Sequence, residues 1–170
     1  MAKAKDEYSQ IAYLAVTESA ANTLTFNSLA VFSNILEPRG LVIHRIQWNI
    51  PSGTYDLLAS DADTLYFGLS GDDGLASMSM GDSKVYDYNL LTMDSFGTPA
   101  NSMQRSSPLV SDFSNLPGQG RLVPADRIYI WVQGSALASA ATIQCRIDFT
   151  VLDLDAGQYL ELAQSLRILT

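Results

Sequence analysis

With 170 residues, 10 Lys+Arg against 18 Asp+Glu and a net charge of −8, the chain lacks the clustered basic surface that a direct grip on nucleic acid requires. One cysteine excludes an internal disulfide, and one cysteine with one histidine is poor raw material for a zinc site. Only 16% of residues are charged and 47% are hydrophobic, so much of the surface is Ser, Thr, Asn, Gln and Ala, which costs less to desolvate than charge and suits packing against neighbours.

The length fits one domain, which buries about two thirds of its unfolded surface and needs no disulfide to fold. No apolar run reaches the roughly 18 residues of a membrane span. The N-terminus lacks the charged-then-apolar layout of a signal peptide, and there is no N-x-[S/T] sequon. The expectation is synthesis in a cytoplasm without classical secretion.

In chain order, residues 11–17 form the first predicted strand, and Glu18-Ser19-Ala20-Ala21-Asn22 a turn. Residues 23–32 form a second strand, with Leu24, Phe26, Ser28 and Ala30 on one side, and Pro38-Arg39-Gly40 breaks it. In residues 41–50 strict alternation puts Val42, His44, Ile46, Trp48 and Ile50 on one face and Leu41, Ile43, Arg45, Gln47 and Asn49 on the other. Pro51-Ser52-Gly53 ends that strand. Residues 64–70 follow, with Leu65, Phe67 and Leu69 inward and Tyr66 outward, before a turn at Gly71-Asp72-Asp73-Gly74.

Residues 84–91 form another strand, and 92–123, rich in Ser, Gly, Pro and Asn, read as long loops with short strand fragments. The clearest signal comes late. Ile128, Ile130 and Val132 alternate with Tyr129, Trp131 and Gln133. After a small-residue turn, Ile143, Cys145, Ile147, Phe149 and Val151 alternate with Thr142, Gln144, Arg146, Asp148 and Thr150. A period of two with one dry face predicts a hairpin that closes the sheet. The period then changes: Tyr159, Leu162, Ala163, Leu166 and Leu169 have helical spacing, with Asp155 as N-cap and Gln158 completing a capping box. The expected fold is all-β, an antiparallel sandwich of seven or eight strands in residues 1–154, with a short amphipathic C-terminal helix over 155–170.

Candidate chemistry is sparse. His44 has no nucleophile motif such as G-x-S-x-G beside it, and reads as a buried or interface histidine before a catalytic one. Asp56, Asp61 and Asp63 flank one loop and Asp72, Asp73 and Asp82 another; they read as turn formers first and calcium ligands second, since the ordered D-x-[DN]-x-[DN]-G loop is absent. Asp148, Asp153 and Asp155 lack a second cluster to make a glycosidase pair. Gly118-Gln119-Gly120 reads as a bend before a strand. Tyr129 and Trp131 lie side by side on the more polar face, either under a covering loop or open to stack on sugars or anchor an interface. Cys145 reads as a small packed hydrophobe. No catalytic, cofactor or metal residue is assigned.

The N-terminal strand pair, the Trp48 strand, residues 64–70, the loop-rich middle and Pro124-Ala125-Asp126-Arg127 leading into the last strands give a layout that resembles small viral capsid proteins of the single jelly-roll type. That resemblance implies a non-enzymatic structural protein of the virion. It self-assembles in many copies through loops and termini, with a second capsid protein as an optional partner. Families of this kind include shells around a membrane-enclosed genome, which fits a coat without a basic arm. Tyr129, Trp131 and the helix face of Tyr159, Leu162 and Leu166 are the contacts to test. The alternative is a lectin-like sandwich that uses aromatics and aspartate loops, with calcium as a variant.

Overall fold

Alternating apolar residues decide where the layers lie. The computed structural model describes residues 3–4, 9–30, 39–60, 62–93, 109–116, 119–123, 127–154 and 157. In chain order these hold β1 (Lys3–Ala4), β2 (Gln10–Thr17), β3 (Thr25–Ala30), β4 (Arg39–Asn49), a one-turn helix α1 (Ser52–Tyr55), β5 (Thr64–Ser70), β6 (Val85–Thr92), β7 (Leu109–Asp112), β8 (Arg121–Val123), β9 (Arg127–Ser135) and β10 (Thr142–Asp153). Apart from Gly157, the expected helix over 155–170 lies outside the described residues.

Two antiparallel sheets face each other. One runs β2-β10-β4-β7, with β1 beside β2 on the same flank of β10 and β8 beside β7 on the same flank of β4. The other runs β3-β9-β5-β6. The strand count exceeds seven or eight because each flank of the first sheet is made of two short consecutive pieces. β1 to β2 and β7 to β8 continue along one flank of the first sheet and β5 to β6 stays within the second; the other steps between described strands cross between sheets, which is the jelly-roll arrangement.

The predicted hairpin of the last two strands is therefore corrected. β9 lies in the second sheet between β3 and β5, and β10 in the first between β2 and β4. Their dry faces look at each other across the core. A period of two reports which side of a strand is apolar, and that is the same for a hairpin and for an arch spanning two sheets.

The core holds Leu14 and Val16 of β2, Ile143 to Val151 of β10 at alternate positions, and Leu65, Phe67 and Leu69 of β5. Ile128, Ile130 and Val132 of β9 complete it. Trp48 meets Phe67 edge-on, with ring centroids 5.2 Å apart. The alternation expected for residues 41–50 is overturned midway. A bulge opposite Asp148 and Phe149 pairs Arg45 with Asp148 but Ile43 with Phe149, leaving His44 as the extra residue. Leu41 and Ile43 consequently share the core with Ile46, Trp48 and Ile50, whereas His44 and Arg45 both lie on the outer side.

Side chains that bond to backbone tie the sandwich together. At the end of the β9–β10 arch, Glu18 is only 4% exposed; its Oε1 accepts from the Gly134 N–H at 2.6 Å and its Oε2 from the Ala141 N–H at 2.8 Å. Asn22, at φ 62°, accepts from the Leu137 N–H at 2.8 Å and donates to the Leu137 carbonyl at 3.0 Å. Thr54 of α1 accepts from Thr142 N–H at 2.9 Å and donates to its carbonyl at 2.8 Å. Along one side, Asp87 of β6 points between the sheets and accepts from Trp48 Nε1 at 2.8 Å, Asn89 Nδ2 at 2.9 Å and Ser111 Oγ at 3.0 Å.

Candidate functional site

The described residues present two broad outer sheet faces with open hollows on them. On the outer face of the first sheet the register sets Tyr13, Arg146, Gln47 and Val110 in one row and Ile11, Asp148, Arg45 and Asp112 in the next. Asp148 holds the middle: its Oδ2 lies 3.3 Å from Arg45 Nε and its Oδ1 3.0 Å from Arg146 Nε. The margins are apolar and exposed, Tyr13 at 73%, Ile11 at 49% and Val110 at 49%, with Leu122 of β8 beyond the bulge also exposed. Exposed apolar side chains thus flank a centre neutralised by ion pairs. Two open hollows lie on this face, about 480 Å³ along Tyr13, Gln47 and Arg146 and about 630 Å³ along His44, Arg45, Asp112 and Asp148.

His44 is committed at both ring nitrogens. Nδ1 lies 2.7 Å from the Gln119 carbonyl oxygen, which can only accept, so in the neutral ring Nδ1 carries the proton and Nε2 accepts from the Thr150 hydroxyl at 2.7 Å. Gln119 takes φ 60° to present that carbonyl. His44 thus pins the bend at 119–120 onto the bulge, with the Phe113 N–H donating to the His44 carbonyl at 2.8 Å. We expect His44→Phe to cost about 1–2 kcal/mol in urea unfolding, because two polar partners are left to water at a partly open site.

The aspartates brought forward as calcium candidates are dispersed into turns. Asp63 accepts from the Ala59 and Ser60 N–H groups at 3.0 and 2.7 Å. Asp72 pairs with Lys84 Nζ at 2.7 Å and accepts from Gly74 N–H at 2.9 Å; the Lys84 hydrogen bond, followed by that backbone bond, holds its carboxyl below the ordinary value. Asp82 accepts from the Lys84 N–H at 2.9 Å. Asp61 lies outside the described residues, and among those described no three His, Cys, Asp or Glu are placed to hold a metal ion.

Cys145 is buried in the core, and desolvation first, then the Asp87 charge, pushes its thiol up to about 12. A thiol protonated at neutral pH is a poor nucleophile. We expect it to resist a maleimide at pH 8 in the folded chain and to react fully in urea. Because the folded value exceeds the ordinary 9.0, the thiol's contribution to stability is full below pH 9 and declines as pH rises from there toward 12.

On the outer face of the second sheet, Trp131 is covered, the first of the two alternatives raised for it and Tyr129, and is not open to a partner. It is 0% exposed and lies across Gly68, where a Cβ would come 2.8 Å from Trp131 Cζ2 and collide with the Asp87 carbonyl oxygen. Tyr88 leans on it at 5.5 Å between ring centroids, and among the described residues Trp131 Nε1 has no hydrogen-bond partner. Tyr129 is half-buried against Phe26, edge-on at 6.5 Å. The β5–β6 connection folds back over this face, so that Ser77 and Met78 stand with Tyr66, Tyr88 and Gln133 around a hollow of about 570 Å³. Sequence reasoning missed this hollow: only Tyr66, read as outward, and Gln133, read as the polar side of its strand, hinted at it. The helix face of Tyr159, Leu162 and Leu166 lies outside the described residues.

No helix of the described residues is long and apolar enough to cross a membrane. No protein-family model matches the chain, and no curated protein matches it in sequence. Solved structures match it in shape. VP1 of Merkel cell polyomavirus, solved as an unassembled pentamer, aligns over 91% of this chain and 98% of its own with a TM-score of 0.53 and 6% identity. VP1 of trichodysplasia spinulosa-associated polyomavirus aligns over 89% of this chain and 97% of its own, with a TM-score of 0.48 and 9% identity. The likeness to the Merkel cell virus protein is one of fold, and the resemblance to a viral capsid jelly roll expected from the strand layout is present in three dimensions.

Proposed function

We propose that this chain is a structural capsid protein, a rigid sandwich that meets further copies of itself in a virion shell. The observation that carries this reading is the pair of facing four-ribbon sheets, aligned over nearly the whole length with a capsid protein that was solved as a pentamer. Two surface properties support it. The exposed apolar margins at Ile11, Tyr13, Val110 and Leu122 offer area to bury, and the low charge content lowers the cost of covering the rest. Many modest contacts repeated by symmetry then add up to a stable closed shell.

The mechanism is mechanical, with no enzymatic step, and the net charge of −8 argues for a shell that does not itself hold the genome. Residues 1–154 are the tile, and 155–170 serve as an amphipathic helix that packs on it or on a neighbour. A second capsid protein fits the same scheme as an additional partner.

Light scattering after size exclusion, with negative-stain microscopy across protein and salt concentration, tests the reading on the untagged chain. Rings, tubes or shells are expected, and Tyr13→Glu should abolish them without lowering the melting temperature. Strict monomers under all these conditions would remove self-assembly as the function.

A further inference from the structure

The hollow on the second sheet is distinct from the apolar margins that suit subunit contacts. Tyr66 and Tyr88 form one wall, their rings tilted 58° with centroids 6.3 Å apart. Gln133, Ser135 and Asn22 form the other side, and Met78 of the folded-back connection closes the rim. Its volume of about 570 Å³ lies in the range of small-ligand sites, roughly 300–1,000 Å³.

Its chemistry is specific in two respects. Among the described residues that line it, none is charged, whereas the hollow at Arg45, Asp112 and Asp148 is lined by charged groups. Its polar groups are also uncommitted. Asn22 is occupied with Leu137, but among the described residues the Tyr66 and Tyr88 hydroxyls and the Gln133 carboxamide have no hydrogen-bond partner. Burial, and secondarily Tyr66, raises the Tyr88 phenol above its ordinary value, so it remains a donor at any physiological pH.

We infer that this hollow binds an uncharged saccharide. A pyranose has an apolar C–H face, which buries against an aromatic wall, and a rim of hydroxyls that both donate and accept. A phenol and a primary carboxamide, each able to donate and to accept, match that rim. An anionic sugar or a phosphate would lose water here and find no cation in return. A purely apolar ligand would leave the carboxamide and the phenols without partners. The aromatics that suggested sugar stacking from sequence, Tyr129 and Trp131, are not part of the site. The inference does not depend on the shell reading.

Saturation-transfer difference NMR works on a free subunit and on an assembly alike. It would be run on the full chain with millimolar uncharged oligosaccharides of glucose, galactose, mannose and N-acetylglucosamine, beside sialylated and sulfated counterparts. At least one neutral sugar is expected to show saturation on its ring C–H protons. Tyr66→Ala and Gln133→Ala should each weaken it about tenfold, and Tyr88→Phe should weaken it less, because its ring is kept. Melting curves establish that the variants fold. For any that do not, shifts of the wild-type Gln133 side-chain amide and the Gly134–Ala136 backbone amides on sugar addition locate the site instead. Silence across the panel would overturn the proposal, as would binding undiminished in folded variants, shifts confined to another surface, or tighter binding of the charged counterparts.

Discussion

Replacing Glu18 by alanine is expected to remove about 3–5 kcal/mol of stability, because two buried N–H groups, those of Gly134 and Ala141, lose a charged acceptor together. Against the 5–15 kcal/mol typical of a domain, that is a large share, and the melting temperature should fall by about 10 °C. The loss is local in origin. Glu18 joins the start of the β2–β3 connection to both feet of the β9–β10 arch, and its own N–H donates to the Ala141 carbonyl at 2.9 Å. Amide hydrogen exchange should therefore speed up first at Gly134 and Ala141 rather than throughout the core. Glu18→Gln keeps one acceptor oxygen and replaces the other with a donor facing an N–H, so it should recover only part of the loss. If urea unfolding shows Glu18→Ala within 1 kcal/mol of wild type, the clamp is not what holds the arch.

The second large effect belongs to Trp48. Its removal to alanine should cost about 3–5 kcal/mol, the usual range for a fully buried aromatic. More informative is the pair it forms with Asp87. Trp48→Phe keeps most of the packing against Phe67 but withdraws one of the donors on the Asp87 carboxylate, which should cost about 1–2 kcal/mol. Asp87→Leu should cost more, since Trp48 Nε1, Asn89 and Ser111 lose a shared acceptor. A double-mutant cycle in urea should then return a coupling energy of about 1 kcal/mol or more. A value indistinguishable from zero would mean that the two sheets are not joined electrostatically along this side.

Layers were legible in the sequence, and connections between them were not. Leu65, Phe67 and Leu69 inward with Tyr66 outward is what β5 shows, and its bounds match the expected strand. β2 and β6 were also found nearly to the residue. The bulge in β4 was invisible because Leu41, Val42, Ile43, His44, Arg45 and Ile46 are consistent with either parity until something pairs with them; only the register against β10 breaks the tie. The last two strands misled for the reason already given, that inward faces do not name a neighbour. Site residues fared worst. Glu18 carried only a turn signal, Asp87 lay in a strand with no mark of an inward carboxylate, and Tyr88 and Met78 join Tyr66 only because a long connection folds back over its sheet.

The position of β10 also governs how the chain is made. It is the central strand of the first sheet, yet it follows every other described strand in the sequence. Thr17 meets Thr142 across 125 residues, so at about 5–20 residues per second on the ribosome β2 waits about 6–25 s for its partner. During that interval β2 and β4 each lack the strand that separates them, and only the β4 side of the first sheet can pair, with β7 and β8. The uncharged stretch Gln10–Thr17 carries no lysine, glutamate or proline to repel a wrong strand while it waits. Crowded polysomes and slow translation are therefore the conditions under which this chain pairs with the wrong neighbour.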